Sequence, residues 1–200
     1  MHQDPQVPRE AISGSATASL LMGIFTAIWA SVASAGFHGR DYYVSLFLFL
    51  LFVVLFITNA IFLFKAARSY PEASSAADKE RKKKTGKWFG IVFGLEGISI
   101  PIAVNLAKFL GHPELTIPVI ALVVGLHFYP MAKIFGRKID YYLATWATVI
   151  SLAGIYMGLK KILPENDIMA FVAVGLALTT SAYGFYAIFY GRRLLRQPHQ

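Results

Sequence analysis

The chain has 200 residues, of which 56% are hydrophobic and 15% are charged, and its mean hydropathy is +0.54. A water-soluble domain has about 25% charged residues, so this composition excludes the soluble globular class. The chain also has no cysteine, which excludes disulfides, thiol catalysis and cysteine-ligated iron–sulfur clusters.

Six apolar blocks follow one another along the chain, each near the ~20 residues that a helix needs to cross a bilayer. They cover residues 12–35, 43–64, 88–110, 116–135, 141–159 and 168–190. The blocks are too long for transmembrane strands and lack their alternation. The sequence therefore predicts an all-α, multi-pass bundle of six transmembrane helices. Residues 1–200 form a single membrane domain, with a basic loop at 66–87 and a basic tail at 191–200.

The net charge of +8 is distributed unevenly between the two sides of the predicted bundle. With a cytoplasmic N-terminus, 15 of the 19 lysines and arginines lie on the cytoplasmic side and 4 lie on the other. An excess of these residues marks the cytoplasmic loops of membrane proteins. We therefore expect both termini in the cytoplasm and the protein in a cell membrane, most simply a bacterial inner membrane.

The first apolar block has an alternative interpretation as a signal peptide. Ala33, Ser34 and Ala35 precede Gly36 after an apolar run, as at a signal-peptidase site. Small residues are also ordinary inside transmembrane helices, and the leader contains two acids beside its one arginine. The first block is therefore expected to remain as a helix; cleavage would leave five.

The basic loop ends in a run that contains Lys82, Lys83 and Lys84. Such a run beside a membrane span is most simply a topology signal on a solvated linker. The alternative is a patch that binds anionic lipid head groups. Nucleic acid is not an expected partner, because no recognition fold surrounds the run.

Small residues recur at helical spacing in the first, third, fifth and sixth blocks. Such stripes let helix backbones approach closely in a membrane. The glycines expected to pack are Gly90, Gly94, Gly154, Gly158 and Gly184. The second block lacks such a stripe, so we expect helices 1, 3, 5 and 6 to form the core and helix 2 to face lipid. A homo-oligomer interface is an equally valid use of these stripes.

One acidic residue and one histidine lie deep within the third and fourth blocks. Glu96 and His127 each lie eight residues from the cytoplasmic end of their block, which places both ~12 Å into the bilayer at 1.5 Å per residue. The connection between these blocks is short, so the helices are expected to be antiparallel neighbours. A charge at this depth needs a partner, a proton or water. The two side chains are therefore predicted to share one site.

Four further residues extend this predicted polar layer. Pro101 and Pro130 each free a backbone carbonyl one turn earlier in their helix, beside one of the two ionisable residues. Broken backbone at membrane depth is tolerated where it is buried or lines a cavity. Ser151 and Thr180 fall near the same level. Together these residues predict a small wet site between helices 3 and 4.

The stretch from Gly125 to Ala132 reads Gly-Leu-His-Phe-Tyr-Pro-Met-Ala. It resembles a Gly-Leu-His-Phe-x-Pro-x-Ala pattern of small multi-pass bacterial membrane proteins. The resemblance covers eight residues of the 200. It implies that His127 and Pro130 belong to one local motif, and it implies no activity.

The leading functional hypothesis is a small transporter or permease, coupled to protons through Glu96 and His127. Two alternatives stay open: an assembly subunit that acts through helix packing, and a membrane enzyme on a lipid-like substrate. A buried pair that only orders two helices is the purely structural interpretation. The sequence has no catalytic motif, and His38 and His112 lack metal-ligand spacing. We therefore predict no catalytic residue, metal or cofactor. The expected partners are the bilayer, a small solute or proton, and a second copy of the chain.

Overall fold

A computed structural model describes residues 9–71 and 76–196. Within these ranges the chain forms six long helices, a short 3-10 turn at Pro113–Leu115 and no strand. All six helices are long and apolar enough to cross a membrane, which confirms the predicted all-α, six-helix class. They are α1 (Arg9–Phe37), α2 (Val44–Ala67), α3 (Ala76–Phe109), α4 (Thr116–Phe135), α5 (Lys138–Leu159) and α6 (Glu165–Leu195).

The helices alternate in direction, so one end of the bundle carries the start of α1 and the end of α6. We call this end the terminal face. Here the predicted loop at 66–87 is wrong over residues 76–87, because α3 already begins at Ala76. The predicted tail is likewise helical to Leu195. Lysine, arginine and glutamate are good helix formers, so a helix continues through them beyond the apolar block. Residues 72–75 and 197–200 lie outside the described ranges.

Helix α1 lies at the centre of the packing, between α2 and α6. Small hydroxyl side chains connect these helices. Ser15 Oγ donates to the carbonyl of Ala187 at 2.7 Å, and Ser19 Oγ donates to the carbonyl of Phe56 at 2.9 Å. The hydroxyls of Thr26 and Thr180 are 2.8 Å apart. These bonds satisfy buried polar groups, which otherwise cost free energy in an apolar interior.

The expectation that α2 lies outside and α3 inside the core is wrong. Phe56 of α2 is fully buried, and its ring lies 2.5 Å from the position of a Cβ on Gly184. The large side chain of α2 thus fills the space left by a glycine of α6. Helix α3 packs instead along α4, and a Cβ on Gly90 or Gly94 would meet no atom within 4 Å. Neither glycine therefore packs against another described helix of this chain.

The other glycines predicted for packing do lie at close approaches. A Cβ on Gly154 would overlap the side chain of Val172, and one on Gly158 would lie 2.6 Å from Leu115. Of the described glycines, Gly36 has the closest backbone neighbours: a Cβ on Gly36 of α1 would lie 2.7 Å from the Ala170 nitrogen of α6. Backbone atoms cannot rotate away as side chains do, so this position requires glycine.

We expect Gly36→Ala to lower the free energy of unfolding by about 1–3 kcal/mol, the usual cost of overpacking. The matched control is Gly90→Ala, where the same methyl group enters open space and gains up to about 1 kcal/mol of helix propensity. Thermal unfolding in detergent, followed by tryptophan fluorescence, measures both. Equal destabilisation of the two variants would contradict the α1–α6 contact.

Candidate functional site

The direction of His127 is set by the packing of α4 on α5. At Gly125 the two backbones approach closely, since a Cβ there would lie 3.0 Å from the Thr148 nitrogen. Residues two apart on a helix differ by about 200° in direction. His127 therefore lies on the side of α4 opposite α5, which is the side that α3 covers.

Glu96 of α3 and His127 of α4 meet as the sequence predicts. The Glu96 Oε1 and His127 Nδ1 atoms are 3.5 Å apart, and the side chains are 10% and 12% exposed. This separation is longer than an ordinary hydrogen bond of 2.7–3.2 Å, and His127 Nδ1 is buried without a hydrogen-bond partner. The pair is close enough for charge attraction but holds an unsatisfied polar atom, which is costly in a purely structural contact.

A cavity of about 300 Å³ lies between α1, α3, α4 and α6 and is called the core cavity. From α3 it is lined by Phe89, Phe93, Glu96 and Ile100, which recur at steps of four, three and four and so share one helix face. Most of the lining is apolar or aromatic. Glu96 is the one acidic side chain among the described residues that line it.

A second cavity, of about 740 Å³, lies on the other side of the α3–α4 contact and is called the peripheral cavity. Its wall includes Lys84, Lys133 and Pro130, together with apolar side chains that face outward. In the described part of the chain, Glu96 and His127 are the two residues that line both cavities. The acid–imidazole pair is thus the partition between them.

Two further cavities at the terminal face share lining residues with the core cavity. One, of about 390 Å³, shares Gly14 and Thr17 with it and also contacts Arg9, Glu10 and Lys82. The other, of about 410 Å³, shares Gly14, Phe135 and Arg137. A Cβ on Gly14 would meet no atom within 4 Å. The space around Gly14 therefore forms the mouth of the core cavity.

The sequence reasoning missed Arg137, which lies at this mouth. Gly136 follows α4 with φ +64°, a conformation that suits glycine, and Arg137 is the N-cap residue that precedes α5. Arg137 Nε donates to Asp140 Oδ2 at 3.2 Å, and its guanidinium lies 4.2 Å from the Phe135 ring centroid and 5.2 Å from that of Tyr183. The sequence did contain a signal for the Arg137–Asp140 pair, because a basic residue three positions before an acidic one at the start of a helix can form an ion pair.

The structure brings only some of the other predicted residues to the pair. Thr180 lines the core cavity and Pro130 lines the peripheral cavity. Ser151 lies elsewhere, buried on α5, where its hydroxyl donates to the carbonyl of Ala147 at 2.7 Å. Pro101 lines neither cavity, and its carbonyl accepts a hydrogen bond from Asn105 at 2.8 Å. The site therefore contains four of the six residues predicted for it.

Acidic and histidine side chains do not cluster into a metal site. Among the described residues, no three of His, Asp or Glu lie together as metal ligands. The chemistry available at the pair is instead proton transfer and charge recognition, since carboxylate and imidazole both exchange protons.

Comparison of the chain with family models, with curated proteins and with solved structures finds no match in any of the three. The resemblance at Gly125–Ala132 therefore stays a prediction.

We expect a cysteine at Val124 to react faster than one at Val149 with a small charged methanethiosulfonate. Val124 lines the core cavity, whereas Val149 is 56% exposed on the outside of α5. Both lie eleven residues from the terminal-face end of their helix. Lipid excludes a charged reagent and disfavours the thiolate, so we expect a rate difference of at least about tenfold.

Because the chain has no cysteine of its own, each variant presents a single thiol. Adding Gly14→Leu to the Val124 variant is expected to slow its labelling by filling the mouth. Equal labelling rates at Val124 and Val149 would show that water does not reach the core cavity.

Proposed function

We propose that this protein is a small proton-coupled transporter of a cell membrane, with Glu96 as the proton-carrying group and His127 as its partner. The observation that carries the proposal is the position of the pair, as the shared wall of two cavities on opposite sides of the α3–α4 contact. A coupling site must be reachable from a cavity at membrane depth without opening a continuous pore, and a pair that separates two cavities meets this condition.

The electrostatics of the pair favour proton exchange. An ionised carboxylate among apolar helices costs several kcal/mol unless it has a partner, a proton or water. Glu96 has an imidazole at 3.5 Å rather than a lysine or arginine. Unlike those cations, a free imidazole exists in both protonation states within the physiological range of pH. We therefore expect the number of protons on the pair to change with the space that the pair faces.

The packing of α3 supports alternating exposure of this site. Helix α3 packs along α4, while α1, α2 and α6 form a separate tight group. Near α1, helix α3 has the Phe93 ring 6.2 Å from that of Phe25, and an ion pair of Lys82 with Glu10 at 3.6 Å. A helix with one main neighbour tilts at small cost, and such motions of packed helices are a known route to domain closure.

The proposed orientation places both termini in the cytoplasm, following the distribution of lysine and arginine. The terminal face would then be the cytoplasmic face, and the mouth at Gly14 would open the core cavity toward the cytoplasm. In this orientation the lysines of the peripheral cavity, Lys84 and Lys133, lie near the cytoplasmic lipid head groups. The membrane we propose is a bacterial inner membrane.

A membrane enzyme on a lipid-like substrate is the second candidate, and the peripheral cavity favours it. This cavity has outward-facing apolar walls, and Glu96 and His127 lie in its lining. A carboxylate and an imidazole are suited to general acid–base catalysis. Turnover of a lipid by the purified protein, lost in both Glu96→Gln and His127→Gln, would favour this candidate over transport.

We expect Glu96→Gln to abolish solute-driven proton movement. Membrane vesicles are acidified inside, a panel of amino acids, sugars, organic acids and organic cations is added, and the pH gradient is followed with a fluorescent dye. At least one class of solute should collapse the gradient in wild type. Glutamine keeps the size of the side chain but carries no exchangeable carboxyl proton, so the variant should stay at the protein-free rate.

The matched control is Glu114→Gln, because Glu114 forms a similar pair with His112 at 2.9 Å but contacts neither the core nor the peripheral cavity. Its activity should equal that of wild type. A gradient collapse that persists in Glu96→Gln would end the proton role of Glu96. A folded wild type that responds to no solute would favour the packing subunit.

A further inference from the structure

We propose that the core cavity binds a small aromatic or aliphatic organic cation without N–H groups, of the quaternary ammonium class, with its positive charge beside Glu96. This inference rests on the proposed function, since it names the class of solute that would exchange with the proton. It depends on the charge balance of the cavity, on its aromatic lining and on its shortage of hydrogen-bond acceptors.

The charges that line the core cavity leave Glu96 uncompensated. Arg137 is paired with Asp140 at 3.2 Å, so this arginine adds little net charge. His127 contributes charge only when it holds a second proton. When the imidazole is neutral, the cavity therefore contains one carboxylate whose charge must be balanced by a proton or by a cation that enters.

Aromatic rings line the cavity that contains the carboxylate. Seven phenylalanine, tyrosine and tryptophan side chains line the core cavity. Those next to the pair are Phe93, whose ring centroid is 6.1 Å from that of His127, and Phe128, at 4.3 Å. A cation within about 6 Å of an aromatic ring is attracted by its π electrons, and recognition of quaternary ammonium groups commonly uses such rings.

A cation–π interaction is already present in the lining of the core cavity. The guanidinium of Arg137 lies over the rings of Phe135 and Tyr183, at 4.2 and 5.2 Å, and both rings line the core cavity. The aromatic groups at the mouth are thus arranged to hold a cation. A mobile cation that passes Arg137 would meet rings of the same kind further in, at Phe93 and Phe128.

Beyond the Glu96–His127 pair, the polar side chains that line the cavity in the described part of the chain are Thr17, Thr180, Tyr183 and Arg137, and a guanidinium accepts no hydrogen bond. The hydroxyl of Thr17 donates to the carbonyl of Ser13 at 3.0 Å, and that of Thr180 contacts Thr26 and its own helix backbone. A primary ammonium group has three N–H donors that need acceptors, and burying them unsatisfied is costly. A quaternary ammonium has no such donors, so its chemistry fits this lining better.

The size and the neighbouring charges limit the ligand further. A volume of about 300 Å³ lies at the lower end of the range for small-molecule pockets, which favours a compact ion. Lys84 and Lys133 line the peripheral cavity and repel cations there. The cation is therefore expected in the core cavity, on one side of the pair.

The test measures binding of benzyltrimethylammonium to the purified full chain by calorimetry. Neopentylbenzene, which replaces the charged nitrogen with carbon, is the neutral control of the same shape. We expect the cation to bind at least about tenfold more tightly than the neutral compound, given the energies of desolvated charge contacts. Glu96→Gln should remove this preference, and Glu114→Gln should retain it.

Binding of the cation should also depend on pH, because it competes with a proton for Glu96. Affinity should rise by up to about tenfold per pH unit while the carboxyl is protonated and level off once it is ionised. His127, Arg137 and Tyr183 also line the core cavity, so the profile is repeated in His127→Gln. A profile lost in Glu96→Gln but kept in His127→Gln assigns the competition to Glu96.

Equal binding of the charged and neutral compounds, or cation binding that survives in Glu96→Gln, would overturn this inference. The proposed function would fail separately. A solute of another class that moves protons through Glu96 would leave the transporter intact and exclude only the organic cation. A chain that binds the cation but moves no protons with any solute would support the organic-cation site and contradict the proposed transporter.

Discussion

A carboxyl group among apolar helices must share its charge, take up a proton or stay in contact with water, and the arrangement around Glu96 follows from this constraint. The nearest ionisable group is an imidazole at 3.5 Å, a weak partner whose own charge depends on pH. A cavity lies on each side of the pair, so α3 and α4 together do not enclose it. The carboxyl group accordingly lies between two cavities beside a weak partner, which is the position that the proposed coupling site needs.

The bundle separates a tightly packed part from a loosely attached one. In α1, α2 and α6, glycines and small hydroxyl side chains allow backbone contact, and Phe56 fills the space at Gly184. Helix α3 has glycines too, but Gly90 and Gly94 face open space. Tight packing resists rearrangement because interiors have few voids. The movement that the proposed transport requires is therefore expected in α3 and its contact with α4, while the tightly packed helices provide a fixed wall.

The sequence was sufficient to predict the six helices and the meeting of Glu96 with His127, because both follow from counting residues along rigid helices joined by a short connection. It was insufficient wherever the answer depended on which way a helix face points. Ser151 lies at the predicted level but on a face of α5 that does not reach the cavity. A stripe of small residues shows that another helix can approach closely, but it does not specify which helix does so. The positions of α2 and α3 were predicted wrongly for this reason. Arg137 lies at the mouth of the core cavity because of the turn at Gly136. The sequence pattern does not specify this turn.

The other described ion pairs show why Glu96 differs from the remaining acids. Arg40 with Asp167, Lys82 with Glu10, Arg137 with Asp140, and His112 with Glu114 all lie at helix ends or in loops. Asp41, in the loop before α2, accepts hydrogen bonds from Ser45, which lower the pKa of its carboxyl group. Each of these acids has a cation, an N–H or a hydroxyl to stabilise its charge, and this includes Asp140, which is fully buried beside Arg137. Glu96 has only the imidazole and the cavities, so in the proposed function its charge depends on what occupies these cavities. Residues that line one cavity can then influence what happens in the other, because both act on the same carboxyl group.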